Sequence, residues 1–295
     1  MSSLRIAVEA DAKAAGVPNP AIDAARSFRF GTMQNGLREA LARQGRVLLA
    51  LMLREARTRY GRQRAGYLWA LIEPLLHISA FYVAFSYRVP IIPLGDSLFV
   101  FLATGFGVFL GFRDILGRTQ GGYTSNQSLL AYPVVRLMDV FLGRALLELA
   151  TWLAVLGVIF GSMLLLGYGY IPHNVLKMLA AIAALFAIAF GVGMTLGIVS
   201  EFVPSVDNIM RAPMMLLYFC SGLFFVPDVL PPVLRSVVYW NPVLHAITLF
   251  REGYYPGYES HLLDLRYLGG WALGSILVAL IVEKIARKPI RNLAV

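Results

Sequence analysis

Long apolar runs bounded by polar residues dominate this chain. A helix needs roughly 20 apolar residues to cross the hydrocarbon core of a bilayer, and six runs approach or exceed that length. The pattern therefore predicts an all-α integral membrane protein with six spanning helices. The predicted spans are residues 67–87, 98–116, 140–166, 176–199, 209–226 and 267–284.

A further apolar stretch between the fifth and sixth spans, LPPVLRSVVYWNPVLHAITLF, is divided at its centre by Asn241 and Pro242. Proline cannot continue the first helix, and asparagine is a good N-cap for a second one. Each half is then about 10 residues long, which is too short to cross a bilayer. We expect a re-entrant helical hairpin here, with its irregular backbone shielded by protein.

The segment ahead of the first span has two parts. Residues 1–44 are polar and basic and are interrupted by Pro18 and Pro20, so we expect a partly disordered cytosolic extension. Residues 45–66 carry an apolar stripe with arginines away from it, which indicates an amphipathic helix along the membrane surface. The membrane domain proper is then residues 67–288.

The basic residues indicate how the helices are oriented. The chain has 26 Lys and Arg against 17 Asp and Glu, and 12 of the basic residues precede residue 67. With six spans and a cytoplasmic N-terminus, 21 of the 26 lie on the cytoplasmic side, in agreement with the positive-inside rule. Residues 289–295 are then a cytosolic tail. Because these charges report topology, the net charge of +9 does not indicate nucleic-acid binding.

The sequence offers few groups for catalysis. It has no GxxxxGKS/T phosphate-binding loop and no HExxH, CxxC or GxSxG motif. Its single cysteine, Cys220, lies in an apolar run, and its four histidines are scattered. Hydrophobic residues make up 58% of the chain and charged residues 15%, with a mean hydropathy of +0.67. We therefore expect no enzymatic activity, no metal site and no cofactor bound by this chain.

Ionisable residues inside a membrane helix are costly and are therefore functional candidates. Trp69, Glu73 and His77 recur every four residues and share one face of the first span. Two interpretations stay open for each ionisable member: Glu73 is interfacial or functional, and His77 is a packing residue or a substrate contact. Arg144 and Glu148 form an i, i+4 pair at the start of the third span, which we interpret as a topological anchor.

Pairs of glycines four residues apart recur in the spans. Such pairs allow helix backbones to approach closely, so we expect them to serve helix packing. The pairs are Gly107 and Gly111, Gly157 and Gly161, Gly193 and Gly197, and Gly270 and Gly274.

The loop between the second and third spans, GRTQGGYTSNQSLLAYPVVR, is too polar to enter lipid. Its pattern predicts a short helix at residues 125–131, capped by Thr124 or Ser125 and ended before Pro133. Because the loop faces the cytoplasm in the predicted topology, this helix is a candidate docking element for a cytosolic motor.

Two separated motifs resemble a known family. LREARTRYGRQRAGYLWALIEP at residues 53–74 and YWNPVLHAITLFREGYYPGY at residues 239–258 are similar to the ABC-2 type transporter permeases, in particular the capsular polysaccharide export branch. The resemblance extends over about residues 46–288. It implies a subunit of the bacterial inner membrane that moves a lipid-linked, acidic polysaccharide and has both termini in the cytoplasm.

The resemblance also implies partners. The permease would be a homodimer with the transport pore between its protomers and a separate ABC ATPase, carrying ATP and Mg, beneath each one. A periplasmic co-polymerase-like adaptor and an outer-membrane polysaccharide channel would complete the route. The interface helix and the coupling helix would touch the ATPase, and the hairpin at Asn241 and Pro242 would act as the periplasmic gate. The implied ATPase contacts are Arg54, Glu55, Arg57, Tyr60, Ser125, Asn126 and Gln127.

Aromatic side chains are the candidate lining of the transport path. Sugar rings stack on aromatic faces, so we expect a set of such faces to line a channel, although a single Tyr or Trp more commonly marks the membrane interface. Arg59 and Arg62 would meet an acidic passenger at the cytoplasmic mouth, but lipid head groups account for them equally well. The other expected channel residues are Trp69, His77, Tyr82, Phe85, Tyr218, Phe225 and Trp240.

Three alternatives stay open. The first is an O-antigen, teichoic acid or drug permease of the same fold. The second is an ion-coupled secondary carrier, which predicts paired membrane carboxylates and inverted repeats, whereas Glu73 is the sole deep carboxylate and no repeat is visible. The third is a membrane-embedded transferase, which predicts clustered acidic or histidine residues that the sequence lacks.

Overall fold

The computed structural model describes residues 38–39, 42, 44–58, 65–87, 92–127 and 136–293. The chain divides into two compact units, Met1–Leu49 and Ala50–Val295. In the first unit, the structure describes residues 38–39, 42 and 44–49, and all of these are helical. Most of the predicted extension at 1–44 lies outside the described residues, as do Arg59, Tyr60 and Arg62.

The described part of the second unit is helical wherever it has regular secondary structure. It begins with residues 50–58 (α1), which belong to the predicted amphipathic helix. The helices that follow are α2 (Ala65–Ser86), α3 (Leu98–Gln120), α4 (Leu137–Leu165), α5 (Val175–Val199), α6 (Val206–Ile209), α7 (Arg211–Cys220), α8 (Pro232–Val238), α9 (Pro242–Tyr254) and α10 (Leu265–Leu293). Short 3-10 turns lie at Thr124–Asn126 and Pro227–Val229.

Five of the described helices, α2, α3, α4, α5 and α10, are long and apolar enough to cross a membrane. They coincide with five of the six predicted spans, which confirms the prediction of an all-helical membrane protein. Their ends differ by a few residues because hydropathy does not mark where a helix stops: α3 continues to Gln120, and α10 runs on through Leu293 into the predicted tail.

The predicted fifth span, residues 209–226, is not a continuous helix. Only α7 is regular there, and its 10 residues extend roughly 15 Å, about half the thickness of the hydrocarbon core. The break comes at Gly222, whose φ of +76° lies in the left-handed region that cannot continue an α-helix. The count of six spans is therefore not confirmed.

The apolar stretch after it is divided where the sequence predicts. Helix α8 has 7 residues and α9 has 13, with Tyr239–Asn241 between them. The side chain of Asn241 caps α9 by accepting a hydrogen bond of 2.9 Å from the backbone N–H of Val243, and Pro242 occupies the first turn, where its missing N–H is not needed. All 13 residues of α9 are buried, so protein surrounds its polar backbone.

Helix α3 is the centre of the second unit. In its apolar segment 78% of the residues are buried, against 11–33% in the other four long helices, which places α3 inside and the others on the outside of the bundle. Helix α3 packs against α2, α4, α5 and α9, and α5 packs in turn against α9 and α10. The polar functional groups described below are arranged around this central helix.

The glycine pairs fall into two groups. Gly107 and Gly111 lie against Leu156 and the ring of Trp152, whose Nε1 donates a hydrogen bond of 2.8 Å to the carbonyl oxygen of Gly107. Gly193 and Gly197 lie against the backbone of α3, so these two pairs serve packing as expected. The pairs at 157 and 161 and at 270 and 274 face open space, with no heavy atom within 4 Å of an added Cβ.

We expect Gly193→Ala to loosen the contact between α3 and α5. The new Cβ would lie 2.7 Å from the carbonyl oxygen of Leu116 and 2.9 Å from Cβ of Thr119. Overpacking costs about 1–3 kcal/mol, more than the up to ~1 kcal/mol that alanine contributes to helix propensity. Thermal unfolding in detergent should show a lower midpoint for Gly193→Ala and an unchanged or higher one for Gly161→Ala. Equal midpoints would mean that the two helices do not approach this closely.

Candidate functional site

Helix α1 and the turn after α3 are joined by a hydrogen bond at one end of the bundle. Nη1 of Arg54 donates to Oδ1 of Asn126 at 2.8 Å, and Nδ2 of Asn126 donates to the carbonyl oxygen of Gly122 at 3.1 Å. Asn126 is buried and belongs to the 3-10 turn Thr124–Asn126. The predicted short helix at 125–131 is thus a 3-10 turn at its start, and residues 128–131 lie outside the described part.

A nearby ion pair ties the same helix to α4. Nε of Arg144 lies 3.2 Å from Oε1 of Glu55, and the guanidinium also donates from Nη1 to the carbonyl oxygen of Gly121. The side chains of Arg144 and Glu55 are only 9% and 19% exposed, so solvent screens this pair little. Arg144, predicted as a topological anchor, therefore holds α1, the end of α3 and α4 together. This set of contacts is called the cytoplasmic strut below, after the side of the membrane that the sequence predicts for it.

The other predicted ATPase contacts divide by exposure. Arg57, Ser125 and Gln127 are exposed, so their side chains can meet a partner. Glu55 and Asn126 are turned into the chain by the contacts just described. Tyr60 lies outside the described residues.

A second charged cluster lies deeper, between α2 and α3. Nη2 of Arg113 is 2.6 Å from Oε1 of Glu73 and 2.8 Å from Oδ1 of Asp114. These three side chains are between 33% and 39% exposed, so they face a groove rather than the core. Glu73, which the sequence left between an interfacial and a functional role, is thus a counter-ion of Arg113. His77, one turn further along α2, has its Nδ1 3.1 Å from the carbonyl oxygen of Glu73.

An aromatic cluster lies where α2, α3 and α7 meet. Phe224 is at its centre, with its ring centroid 5.0 Å from Phe81, 5.4 Å from Phe106 and 5.8 Å from Phe85. The Tyr218 ring completes it, 5.9 Å from Phe106. The structure thus brings together two of the expected channel residues, Phe85 and Tyr218.

The remaining expected channel residues lie elsewhere. Tyr82 packs on Phe99, with ring centroids 5.8 Å apart, and Trp240 packs on Tyr239 at 6.1 Å. Trp69 is 59% exposed. Phe225 contributes its carbonyl oxygen, described next, rather than an exposed ring. The aromatic residues therefore form separate clusters within the described chain and not one continuous ladder.

Arg251 connects three segments beside the break after α7. Its Nη1 donates to the carbonyl oxygens of Gly222 at 2.7 Å and Phe225 at 3.2 Å, and its Nε donates to Oγ1 of Thr104 at 3.2 Å. Its guanidinium carbon lies 4.2 Å from the centre of the Phe101 ring. The side chain is only 1% exposed, so its positive charge is buried inside the protein. This buried cation holds the turn at Ser221–Val226 against α3.

The turn is also fixed to the start of α9. Nδ2 of Asn241 donates to Oγ of Ser221 at 2.9 Å, so the N-cap of α9 and the end of α7 share a hydrogen bond. Pro242 follows directly as the first residue of α9. The two predicted gate residues therefore lie beside the break in the predicted fifth span.

The end of the bundle opposite the cytoplasmic strut has its own polar contacts. The backbone N–H of Asn174 donates to the carbonyl oxygen of Gly253 at 2.7 Å, and Lys177 pairs with Glu252 at 2.9 Å. Just ahead of α10, the backbone N–H of Tyr267 and the hydroxyl of Tyr239 hold the pKa of the Asp264 carboxyl below its ordinary value. Among the described residues, no group of His, Cys, Asp and Glu is placed to hold a metal ion.

The family model for ABC-2 type transporters matches residues 46–255, which cover α1 to α9. This chain belongs to the ABC-2 type transporter family. It is similar to the polysialic acid transport protein KpsM of Escherichia coli, with 32% identity over 231 residues, 78% of this chain and 90% of KpsM.

Two further relatives of this ABC-2 protein are named for capsule polysaccharide export. The capsule polysaccharide export inner-membrane protein BexB of Haemophilus influenzae is 30% identical over 250 residues, 84% of this chain and 93% of BexB. The protein of the same description from Neisseria meningitidis serogroup B, CtrC, is 30% identical over 217 residues, 74% of this chain and 82% of CtrC.

Three residues of this ABC-2 chain were not singled out by the sequence as candidates. Arg113 and Asp114 are adjacent charges inside an apolar run, and that interruption is a local signal for a membrane ion pair. Arg251 follows an apolar run in the sequence, where it is indistinguishable from a flanking interfacial residue. Only the packing of α9 inside the bundle reveals that its charge is buried.

Proposed function

We propose that this chain is the membrane-spanning subunit of an exporter for capsule polysaccharide. The support is the similarity to three relatives that are named for polysialic acid transport or capsule polysaccharide export, each over at least 74% of this chain. The passenger is a lipid-linked acidic polysaccharide. The inner membrane is the proposed location because BexB and CtrC are named as inner-membrane proteins.

A separate ABC ATPase drives the exporter. The sequence has no phosphate-binding loop, so ATP and Mg are bound by the partner. The cytoplasmic strut is the observation that carries the proposal, because it joins α1, the turn after α3 and the start of α4 into one block. A push on the exposed Arg57, Ser125 or Gln127 is then transmitted directly to two long helices.

The chain crosses the membrane six times and has both termini in the cytoplasm. Helices α6 and α7, with the turn to Val226, lead from the end of α5 back past the aromatic cluster, and α8 and α9 then form a re-entrant hairpin. The support is the distribution of basic residues and the opposite ends at which the cytoplasmic strut and the contact of Asn174 with Gly253 lie.

The transport path lies between two copies of the chain. The surface formed by α2, α3 and α7 carries the aromatic cluster, with Phe85 and Tyr218 among its members, and the ion cluster around Arg113. Arg59, Arg62, Trp69 and His77 belong to the cytoplasmic half of this path, and Tyr82, Phe225 and Trp240 to its outer half. Asn241 and Pro242 gate the outer end, where a periplasmic adaptor and an outer-membrane channel receive the polymer.

Co-purification tests whether a separate ABC ATPase binds this chain and drives export. The chain, expressed with its host's capsule-export ATPase and solubilised in detergent, should retain the ATPase in near-equal amounts and hydrolyse ATP. Arg57→Glu should reduce the retained ATPase, since it reverses an exposed charge at the proposed contact, whereas Arg266→Glu at the opposite end should not. Polymer export by the purified chain with no ATPase present would contradict the proposal.

A further inference from the structure

A groove runs along the surface between α3 and α7 on the cytoplasmic half of the bundle. Its volume is about 430 Å³, within the range of roughly 300–1,000 Å³ that is usual for ligand pockets. From Phe109 to Gln120 the α3 wall rises by eleven residue steps, roughly 16 Å, close to the thickness of the hydrocarbon in one leaflet. The groove thus has the length of a lipid in a single leaflet.

The groove is apolar inside and charged at its mouth. Its deep walls are formed by Phe109, Leu116 and Met214, and Met210 and Met215 add flexible side chains that adapt to an irregular chain. Arg211 lies at the mouth, in the first turn of α7, and is exposed. Arg113, which also lines the groove, is already paired with Glu73 and Asp114.

An apolar groove with a cation at its mouth fits an amphiphile that has an anionic head group. We propose that the groove binds an inner-leaflet phospholipid with an anionic head group, its phosphate at Arg211 and one acyl chain along Phe109 and Met214. The charge complementarity at the mouth selects the head group, and the apolar walls hold the chain. The inference relies on the orientation proposed above, which places Arg211 at the cytoplasmic face. It does not depend on the identity of the transported polymer.

Gly117 provides a charge-neutral test. It lines the groove, and a Cβ added there meets no heavy atom within 4 Å, so the backbone accepts a side chain at this position and Gly117→Phe adds a ring to the groove wall. Gly157 is its matched control, because a Cβ there also meets nothing within 4 Å and the residue lies on α4, away from the groove. Arg211→Gln removes the charge alone, and Arg266→Gln is its control at the opposite end.

The measurement is lipid binding to the purified chain by native mass spectrometry, with phosphatidylglycerol compared with phosphatidylcholine. We expect a retained phosphatidylglycerol molecule that is roughly fivefold less abundant in Arg211→Gln, since one basic residue near an anionic surface contributes about that factor. Gly117→Phe should abolish it, while Gly157→Phe and Arg266→Gln should retain it. Thermal unfolding of each variant establishes that it is folded.

Three results would overturn the inference. The first is equal retention of the two lipids by the unaltered chain. The second is unchanged phosphatidylglycerol binding in both Arg211→Gln and Gly117→Phe. The third is a Gly117→Phe variant that loses a protein dimer while its lipid content is unchanged, because a second copy would then be the occupant of the groove. None of these measurements uses the ATPase, so they can fail while the proposed export function stands.

Discussion

Arg251→Met is expected to destabilise the chain strongly and to stop export. The substitution leaves the carbonyl oxygens of Gly222 and Phe225 without their buried donor, and each unsatisfied buried group costs about 1–3 kcal/mol. Removal of the guanidinium also relieves its own cost of burial, so we expect a net loss of about 2–4 kcal/mol in the free energy of unfolding. Thermal unfolding in detergent and the amount of capsule at the cell surface measure the two effects.

The conservative variant separates charge from geometry. Lysine keeps the positive charge, but its single ammonium cannot reach Thr104 and the two carbonyl oxygens in the forked geometry of arginine. Arg251→Lys should therefore fall between the unaltered chain and Arg251→Met. The exposed Arg266→Met serves as a control that removes an arginine without breaking the turn. An Arg251→Met chain that unfolds at the same temperature as this control would contradict the role given to Arg251.

The turn that Arg251 holds also explains why the predicted fifth span is not one continuous helix. Hydropathy averages over a window, and residues 209–226 are apolar enough on average to be taken as a membrane helix. The average does not register Gly222, whose left-handed backbone ends the helix, or the donors that then satisfy the freed carbonyl groups. By contrast, Asn241 and Pro242 act on their own neighbours, so the division of the next stretch was predictable.

The functional surfaces were predictable to different degrees. The sequence located α1 and the loop after α3 as separate docking elements, because each has a local pattern. It could not reveal that Arg54 reaches Asn126 across 72 positions or that Arg144 reaches Glu55, since partners distant in sequence depend on packing. The aromatic cluster shows the same limit: aromatic residues were expected along the path, but Phe224, not Phe225, occupies its centre.

The cytoplasmic strut gives the second large effect. Glu55→Lys would break the ion pair with Arg144 and place a second cation against a side chain that is only 9% exposed. Removal of one partner of a buried ion pair costs roughly 3–5 kcal/mol, so we expect export to fall at least about tenfold. Surface capsule measures export, and co-purified ATPase measures docking. Since Glu55 faces into the chain, docking should persist in Glu55→Lys, whereas it should be lost in Arg57→Glu.

Exchange of the two charges distinguishes a strut from a docking contact. Glu55→Lys combined with Arg144→Glu restores an ion pair between α1 and α4, although the new glutamate cannot donate to the carbonyl oxygen of Gly121 as Arg144 does. We therefore expect export to recover in part and ATP hydrolysis by the partner to be coupled to export again. If Glu55 were instead a direct contact of the ATPase, Glu55→Lys would release the ATPase and the exchange at Arg144 would restore nothing. The double variant thus assigns Glu55 to force transmission or to docking, because only a partner within the chain can compensate for it.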